Sequence, residues 1–117
     1  MEIYKEFKFE AAHSLPHLPE GHKCRNVHGH SYRLIVYVSG EVDPETGWII
    51  DFADLKRAVE PVIKRLDHQN LNDIEEIGVT TVENLARWIW GQLDGVVPGL
   101  SRIEVRETET AGCVYSG

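Results

Sequence analysis

Three histidines, a lysine, a cysteine and an arginine crowd into residues 22–30, and an apolar run follows at once: "HKCRNVHGHSYRLIVYV", residues 22–38. His28 and His30 stand two apart in "HGH". At the start of a strand, both rings leave the same face, roughly 6–7 Å apart at the backbone. Two imidazoles so placed can reach one ion at about 2.0–2.1 Å each. His13 ends an earlier alternating run, and an antiparallel neighbour can bring it alongside. Three neutral imidazoles suit zinc and leave one position open for water or substrate. Cys24 keeps a second arrangement open, a closed site in which the thiolate is the fourth ligand. H-x-H alone also occurs as two surface histidines at a strand start, so the metal reading leans on His13 and Cys24. His17 and His22 flank loop prolines and glycine and read mainly as solvated loop residues.

Proton-transfer chemistry has its own candidates. Cys24 sits between Lys23 and Arg25, close to the expected cation. Positive neighbours favour thiolate, which can act as base or nucleophile. A lone cysteine is otherwise an inert buried residue, and Cys113 in "AGCVYSG" reads that way. Asp67 and His68 follow one another just past a helix end. A carboxylate beside an imidazole sets its tautomer or raises its basicity. The same pair could serve only as a favourable helix C-terminus. Glu107, in "VRETETAG", reads as a residue of a late strand, either exposed or turned to a ligand.

The elements that must position these residues follow from periodicity. "IYKEFKFEAAH" alternates, with Ile3, Phe7, Phe9 and Ala11 on the face of His13. "SYRLIVYVSG" is a second strand, apolar on both faces around Leu34–Val38, which predicts that both are covered. "DPETGW" is a turn. Asp51 is a good N-cap for a helix whose stripe runs Phe52, Leu55, Val59, Val62, Ile63, Leu66. Pro61 inside that stripe predicts a kink or a split. "LDHQNLND" is a polar exit. Thr81 or Thr80 caps a second helix with Leu85, Trp88, Ile89 and Leu93 on its stripe. "SRIEVRETE" and "AGCVYSG" close the chain as two more strands. The order β-β-α-α-β-β predicts an α+β fold, an antiparallel sheet with two helices on one face. Apolar sheet edges are hazards unless paired, which predicts pairing between subunits.

Composition bounds the class. The 117 residues fit one domain, 1–117, and carry a formal net charge of −7. That balance argues against nucleic-acid or membrane-surface binding, which needs excess Lys and Arg. No apolar run approaches the roughly 18 residues that span a bilayer, and "MEIYKEFKFEAAH" has no signal-peptide core. Two cysteines in such a chain read as free thiols, and the expected location is the cytoplasm.

"FEAAHSLPHLPEGHKCRNVHGHSY", "GWIIDFADLK", "LDHQNLND", "TTVENLARWIW" and "VRETETAGCVY" together resemble the 6-pyruvoyltetrahydropterin synthase family over nearly the whole chain. The three residues between Cys24 and His28 resemble the 6-carboxytetrahydropterin synthase branch of the queuosine (7-deazapurine) pathway; the 6-pyruvoyl branch is usually longer there. The resemblance implies a tunnelling fold whose trimers close a twelve-stranded barrel and stack as a hexamer. It implies zinc on His13, His28 and His30, and Cys24 as a proton-transfer residue. It implies Asp67 and His68 as a second acid–base pair, commonly serving a neighbouring subunit. Glu107 would anchor a pterin ring, with Thr81 nearby and Lys23 and Arg25 as possible contacts of a triphosphate. The implied activity is that of a zinc-dependent lyase. It converts 7,8-dihydroneopterin triphosphate to 6-carboxy-5,6,7,8-tetrahydropterin with release of acetaldehyde and triphosphate. The alternatives are a 6-pyruvoyl-forming synthase and a non-enzymatic module stapled by zinc.

Overall fold

The computed structural model describes residues 1–117. Two long strands dominate it: β1 (Glu2–His13) and β2 (His28–Ser39). They pair antiparallel without a break, from Glu2 opposite Ser39 to His13 opposite His28. Helix α1 (Phe52–Leu66) follows, then a two-residue strand β3 (Gln69–Asn70), helix α2 (Val82–Leu93), β4 (Leu100–Arg106) and β5 (Gly112–Tyr115). The sheet order is β3-β1-β2-β4-β5, antiparallel except where β3 runs parallel to β1 at Ala11 and Ala12. The architecture is the α+β arrangement read from the sequence, with β3 added inside the segment read as a polar exit.

Period-2 patterning decides which face the helices cover. Phe9 and Ala11, then Tyr32, Leu34, Val36 and Val38, then Ile103 and Val105 are buried on one face. They pack against Leu55, Val59 and Leu66 of α1 and Leu85, Ile89 and Leu93 of α2. The opposite face carries no second layer, contrary to the reading of Leu34–Val38 as covered on both sides. Ile35 is nevertheless buried there, because Glu6 and Glu104 flank it in register. Their stems lie beside it while their carboxylates reach Arg33 and Arg106. Arg102 similarly covers the Tyr37 ring at 3.8 Å.

Asp51 caps α1, its Oδ1 accepting from the Ala53 N–H at 2.9 Å. Pro61 does not split the helix, which continues unbroken to Leu66. Pro61 is exposed between buried Val59 and Val62. The carbonyl that loses its partner belongs to Arg57, itself an exposed residue, and can be served by water. Thr81 caps α2, accepting from the Asn84 N–H, while its neighbour Thr80 is buried.

The strand read as "SRIEVRETE" stops at Arg106. Glu107 and Thr108 turn the chain, both N–H groups donating to the Ala111 carbonyl. Gly112 is required at the return, because a Cβ there would collide with the Val105 carbonyl oxygen. Glu107 therefore opens the β4–β5 turn rather than lying within a strand.

A candidate metal centre at the end of the sheet

His13 and His28 are the last register pair of the β1–β2 ladder, and His30 lies opposite Ala11. All three rings emerge on the helix-covered face, at the end of the sheet where its apolar layer runs out. Their centroids are 4.6, 4.9 and 5.2 Å apart. One ligand atom from each lies within 4.8 Å of the others, so the three can hold a metal ion.

Hydrogen bonding decides which nitrogens are free. The His13 Nδ1 lies 2.7 Å from the Thr80 carbonyl oxygen, and the His28 Nδ1 lies 2.7 Å from the Asn26 carbonyl oxygen. A carbonyl only accepts, so each Nδ1 carries the proton and donates. In the neutral ring this leaves each Nε2 as the lone pair, the form a metal needs. The Nε2 atoms of His13 and His30 are buried without a hydrogen-bond partner. Buried imidazole nitrogens left without a hydrogen bond are costly in a metal-free protein and natural in a loaded one. The donor set, three neutral imidazoles, fits zinc. Burial lowers the His30 imidazole from its ordinary value; the Glu107 carboxylate opposes that shift, and His13 and His28 add to it.

Thr80 anchors His13 through more than its carbonyl. Its hydroxyl lies 3.2 Å from the same Nδ1 and donates to the Ser14 carbonyl at 3.3 Å. Asn72 clamps Ser14 from the other side, accepting from its N–H at 2.8 Å and donating to its carbonyl at 3.0 Å. Neither residue stood out as functional in the sequence. Glu107 reaches the cluster from the start of the β4–β5 turn, its Oε1 3.5 Å from the His30 Nε2. Tyr32 continues the His28, His30 face by one more step and was also missed. Its ring stacks on Phe9 at 4.9 Å and lies 5.5 Å from His30. The i, i+2, i+4 spacing was the signal that could have found it.

The other expected site residues stand apart from the histidines. Cys24 lies outside the ligand cluster, on a single helical turn over Lys23–Arg25, half-buried with a free thiol. Its carbonyl accepts from the Leu15 N–H at 2.8 Å, and its N–H donates to the His22 Nδ1 at 3.2 Å. His22 thus caps this turn. Arg25 donates to the carbonyls of Pro16 and Leu18 at 3.1 and 2.9 Å, tying down the loop after β1. Lys23 is exposed beside it.

Asp67 and His68 form a pair of their own, Oδ2 to Nδ1 at 3.0 Å. Glu10 holds both with its backbone. Its N–H donates to the Asp67 Oδ1 at 2.9 Å, and its carbonyl accepts from the His68 N–H at 2.6 Å. That N–H bond is the largest cause of a lowered Asp67 pKa, ahead of the His68 side chain. His68 adopts φ 59°, a left-handed conformation unusual for a residue with a Cβ. The pair faces outward at the β1 edge, with the His68 side chain 77% exposed. No hydrogen bond or ring contact joins it to the three histidines within this chain.

Sheet, helix pair and polar sheet end together define a tunnelling fold with a candidate metal centre. The comparisons with known proteins narrow the class. The model of the family described as 6-pyruvoyl tetrahydropterin synthase matches residues 2–117. A 6-carboxy-5,6,7,8-tetrahydropterin synthase from Synechocystis is 48% identical over 119 residues, covering 97% of this chain and 91% of the relative. The human 6-pyruvoyl tetrahydrobiopterin synthase is 37% identical over 132 residues, covering 99% and 91%. The solved structure of the Caenorhabditis elegans 6-pyruvoyl tetrahydropterin synthase superposes with a TM-score of 0.91 at 32% identity, covering 100% of this chain and 95% of that one. The chain belongs to the 6-pyruvoyl tetrahydropterin synthase family. No helix in it is long and apolar enough to cross a membrane.

Proposed function

We propose that the chain is a zinc-dependent carbon–carbon lyase. It converts 7,8-dihydroneopterin triphosphate and water to 6-carboxy-5,6,7,8-tetrahydropterin, acetaldehyde and triphosphate, a step of queuosine biosynthesis. The observation that carries the reading is the pair of buried, unpartnered Nε2 atoms on His13 and His30 beside His28. Those three residues would hold the metal, which when bound supplies a Lewis acid that lowers the pKa of side-chain hydroxyls. The three-residue spacing from Cys24 to His28 and the 48% identity to the Synechocystis enzyme favour the carboxy-forming branch over the pyruvoyl-forming one.

The chain's own residues have distinct tasks in this reading. Cys24, on its short turn outside the ligand set, exchanges protons at side-chain carbon. His68 handles hydroxyl protons, with Asp67 fixing its tautomer through the 3.0 Å contact at Nδ1. Glu107 accepts from the adjacent N–H groups of the pterin, with Thr81 at the nearby helix start. Lys23 is free to meet the triphosphate, and Arg25 has donors left beyond those on the loop carbonyls.

Assembly belongs to the same reading. The Glu2–Lys8 edge of β1 and the outer edge of β5 have no strand partner within the chain. Tyr4 and Val114 on these edges are exposed, as are Trp48 on the loop before α1 and Phe52 at its first turn. Closing such edges between copies gives trimers that stack as a hexamer. It also gives the outward-facing Asp67–His68 pair a site to serve on a neighbouring subunit. The chain then works in the cytoplasm on a small pterin, with neither nucleic acid nor membrane as partner.

Incubating the zinc-loaded protein with dihydroneopterin triphosphate and weighing the products by mass spectrometry tests the reaction. A carboxytetrahydropterin with acetaldehyde supports it. A pyruvoyl product moves the chain to the other branch, and unchanged substrate overturns the assignment.

A further inference from the structure

One buried polar atom near the site has no task in the chemistry above. The Tyr32 side chain is 1% exposed, and its hydroxyl oxygen is buried with no hydrogen-bond partner. Leaving a hydroxyl so is costly, and phenylalanine would fill the same space without that cost. Packing explains the ring, which stacks on Phe9 with the planes 4° apart. It does not explain the oxygen.

Register shows what the oxygen can serve. β2 and β4 pair with Leu34 opposite Val105 and Arg33 opposite Arg106. The ladder ends there, but the turn that follows carries the Glu107 carboxylate to 3.5 Å from the His30 Nε2, and the Tyr32 ring lies 5.5 Å from the His30 ring, so both side chains border His30. A phenol is a neutral donor near neutral pH, and this one makes no bond to the carboxylate nearby.

That carboxylate currently leans on the His30 Nε2 at 3.5 Å. The same nitrogen is one that a metal would occupy. A cation on that lone pair leaves the nitrogen with no hydrogen bond to offer Glu107, whose carboxylate, on a side chain 28% exposed, then turns to solvent, to the cation or to another donor nearby.

We propose that Tyr32 is a positioning residue for Glu107: when a cation occupies the three histidines, the Tyr32 hydroxyl donates to the Glu107 carboxylate and holds it aimed at the pterin. The inference rests on the functional reading above for the identity of the cation and ligand. The device keeps an anionic side chain from becoming a fourth metal ligand, and it orders the carboxylate before substrate arrives, which lowers the entropic cost of binding.

The test uses full-length protein labelled at the tyrosine Cζ, with and without zinc, observed by carbon NMR. Loss of one signal in Tyr32→Phe assigns it. On zinc loading, that signal should shift in the wild type and stay still in Glu107→Ala. Tyr32→Phe should keep its zinc yet bind neopterin about fivefold more weakly, the worth of one hydrogen bond net of water. Added to Glu107→Ala, it should cost nothing further. A Tyr32 signal indifferent to zinc, or moving equally without Glu107, overturns the proposal while leaving the functional reading intact. Equal neopterin affinity in wild type and Tyr32→Phe overturns it too. Zinc-loaded wild type that binds no pterin fails the functional reading, while the NMR shift still decides the Tyr32–Glu107 bond. A protein that takes up no zinc overturns both.

Discussion

The Nδ1 of His13 donates to the main-chain carbonyl of Thr80 at 2.7 Å, across 67 positions of sequence. The bond locks the tautomer and the ring angle of a candidate metal ligand from the start of α2. Because the acceptor is backbone, no substitution of Thr80 deletes it outright, but the hydroxyl and its Ser14 contact can be removed. Thr80→Val should therefore weaken zinc by only about threefold, less than the roughly 10–100-fold usual for a lost partner of a ligand. Asn72→Ala releases both backbone groups of Ser14, next to His13, and should cost about tenfold. Competition with a calibrated chelator measures both. Equal, undetectable effects would mean that the loop after β1 holds His13 without them.

His28→Ala and Cys24→Ala separate an open metal site from a closed one. The first removes a ligand and should leave less than a tenth of the wild-type zinc by elemental analysis. The second should keep its zinc and fold while turnover falls by roughly 10²-fold or more, the scale of a lost acid–base group. Zinc loss and unfolding in Cys24→Ala would instead make the thiolate a ligand.

Asp67 predicts an acid dependence of stability. Its pKa is lowered from 3.8, first by the Glu10 N–H and then by the His68 side chain. A depressed carboxylate stabilises the fold fully above its unfolded value. The contribution is lost as pH falls through that value and on through the lower folded one. The wild-type melting temperature should thus fall more steeply than that of Asp67→Asn below about pH 4.5. Glu2, whose pKa is lowered chiefly by Ser101, titrates in the same window and leaves both proteins a shared slope. Parallel curves for the two proteins would show that the Glu10–Asp67 contact does not survive in solution.

The legible parts of the molecule were those with a short period. Alternation in residues 3–13 and 31–40 placed both long strands, and H-x-H spacing put His28 and His30 on one face. The His13–His28 register could not be read, because it is set by pairing across a fourteen-residue loop rather than by either strand alone. Thr80 and Asn72 were silent for the same reason: their partners lie far away in sequence. Pro61 does not split the helix as one of its two expected effects would have it, because a helix tolerates a missing N–H on its exposed side. Glu107 was placed on a strand that in fact ends one residue earlier, a boundary decided by the hairpin bond to Ala111. The outward turn of Asp67 and His68 depends on Glu10 and on a positive φ at His68, which no local pattern announces.

That strand end bears on the last prediction, which concerns the pterin anchor. Had β4 continued, Glu107 and Glu109 would share a face and compete for the role. The hairpin instead sends them to different surroundings. Glu107 lies 3.5 Å from the His30 Nε2, whereas Glu109 lines an exposed recess with Arg33, Arg106 and Thr108 on the far side of the sheet. A carboxylate beside the histidines can accept two coplanar N–H groups from a pterin, as it does from arginine. Glu107→Gln keeps the shape but sets a donor against a donor, and it should weaken neopterin binding by one to two orders of magnitude, about 1.4 kcal/mol per tenfold. Zinc content and oligomeric state should not change, since the glutamate is neither one of the three ligands nor on a sheet edge. Glu109→Gln should bind as the wild type does. Calorimetric titration of neopterin into the two zinc-loaded variants decides between them: a loss confined to Glu109→Gln would move the anchor to the other side of the sheet and detach it from the metal centre.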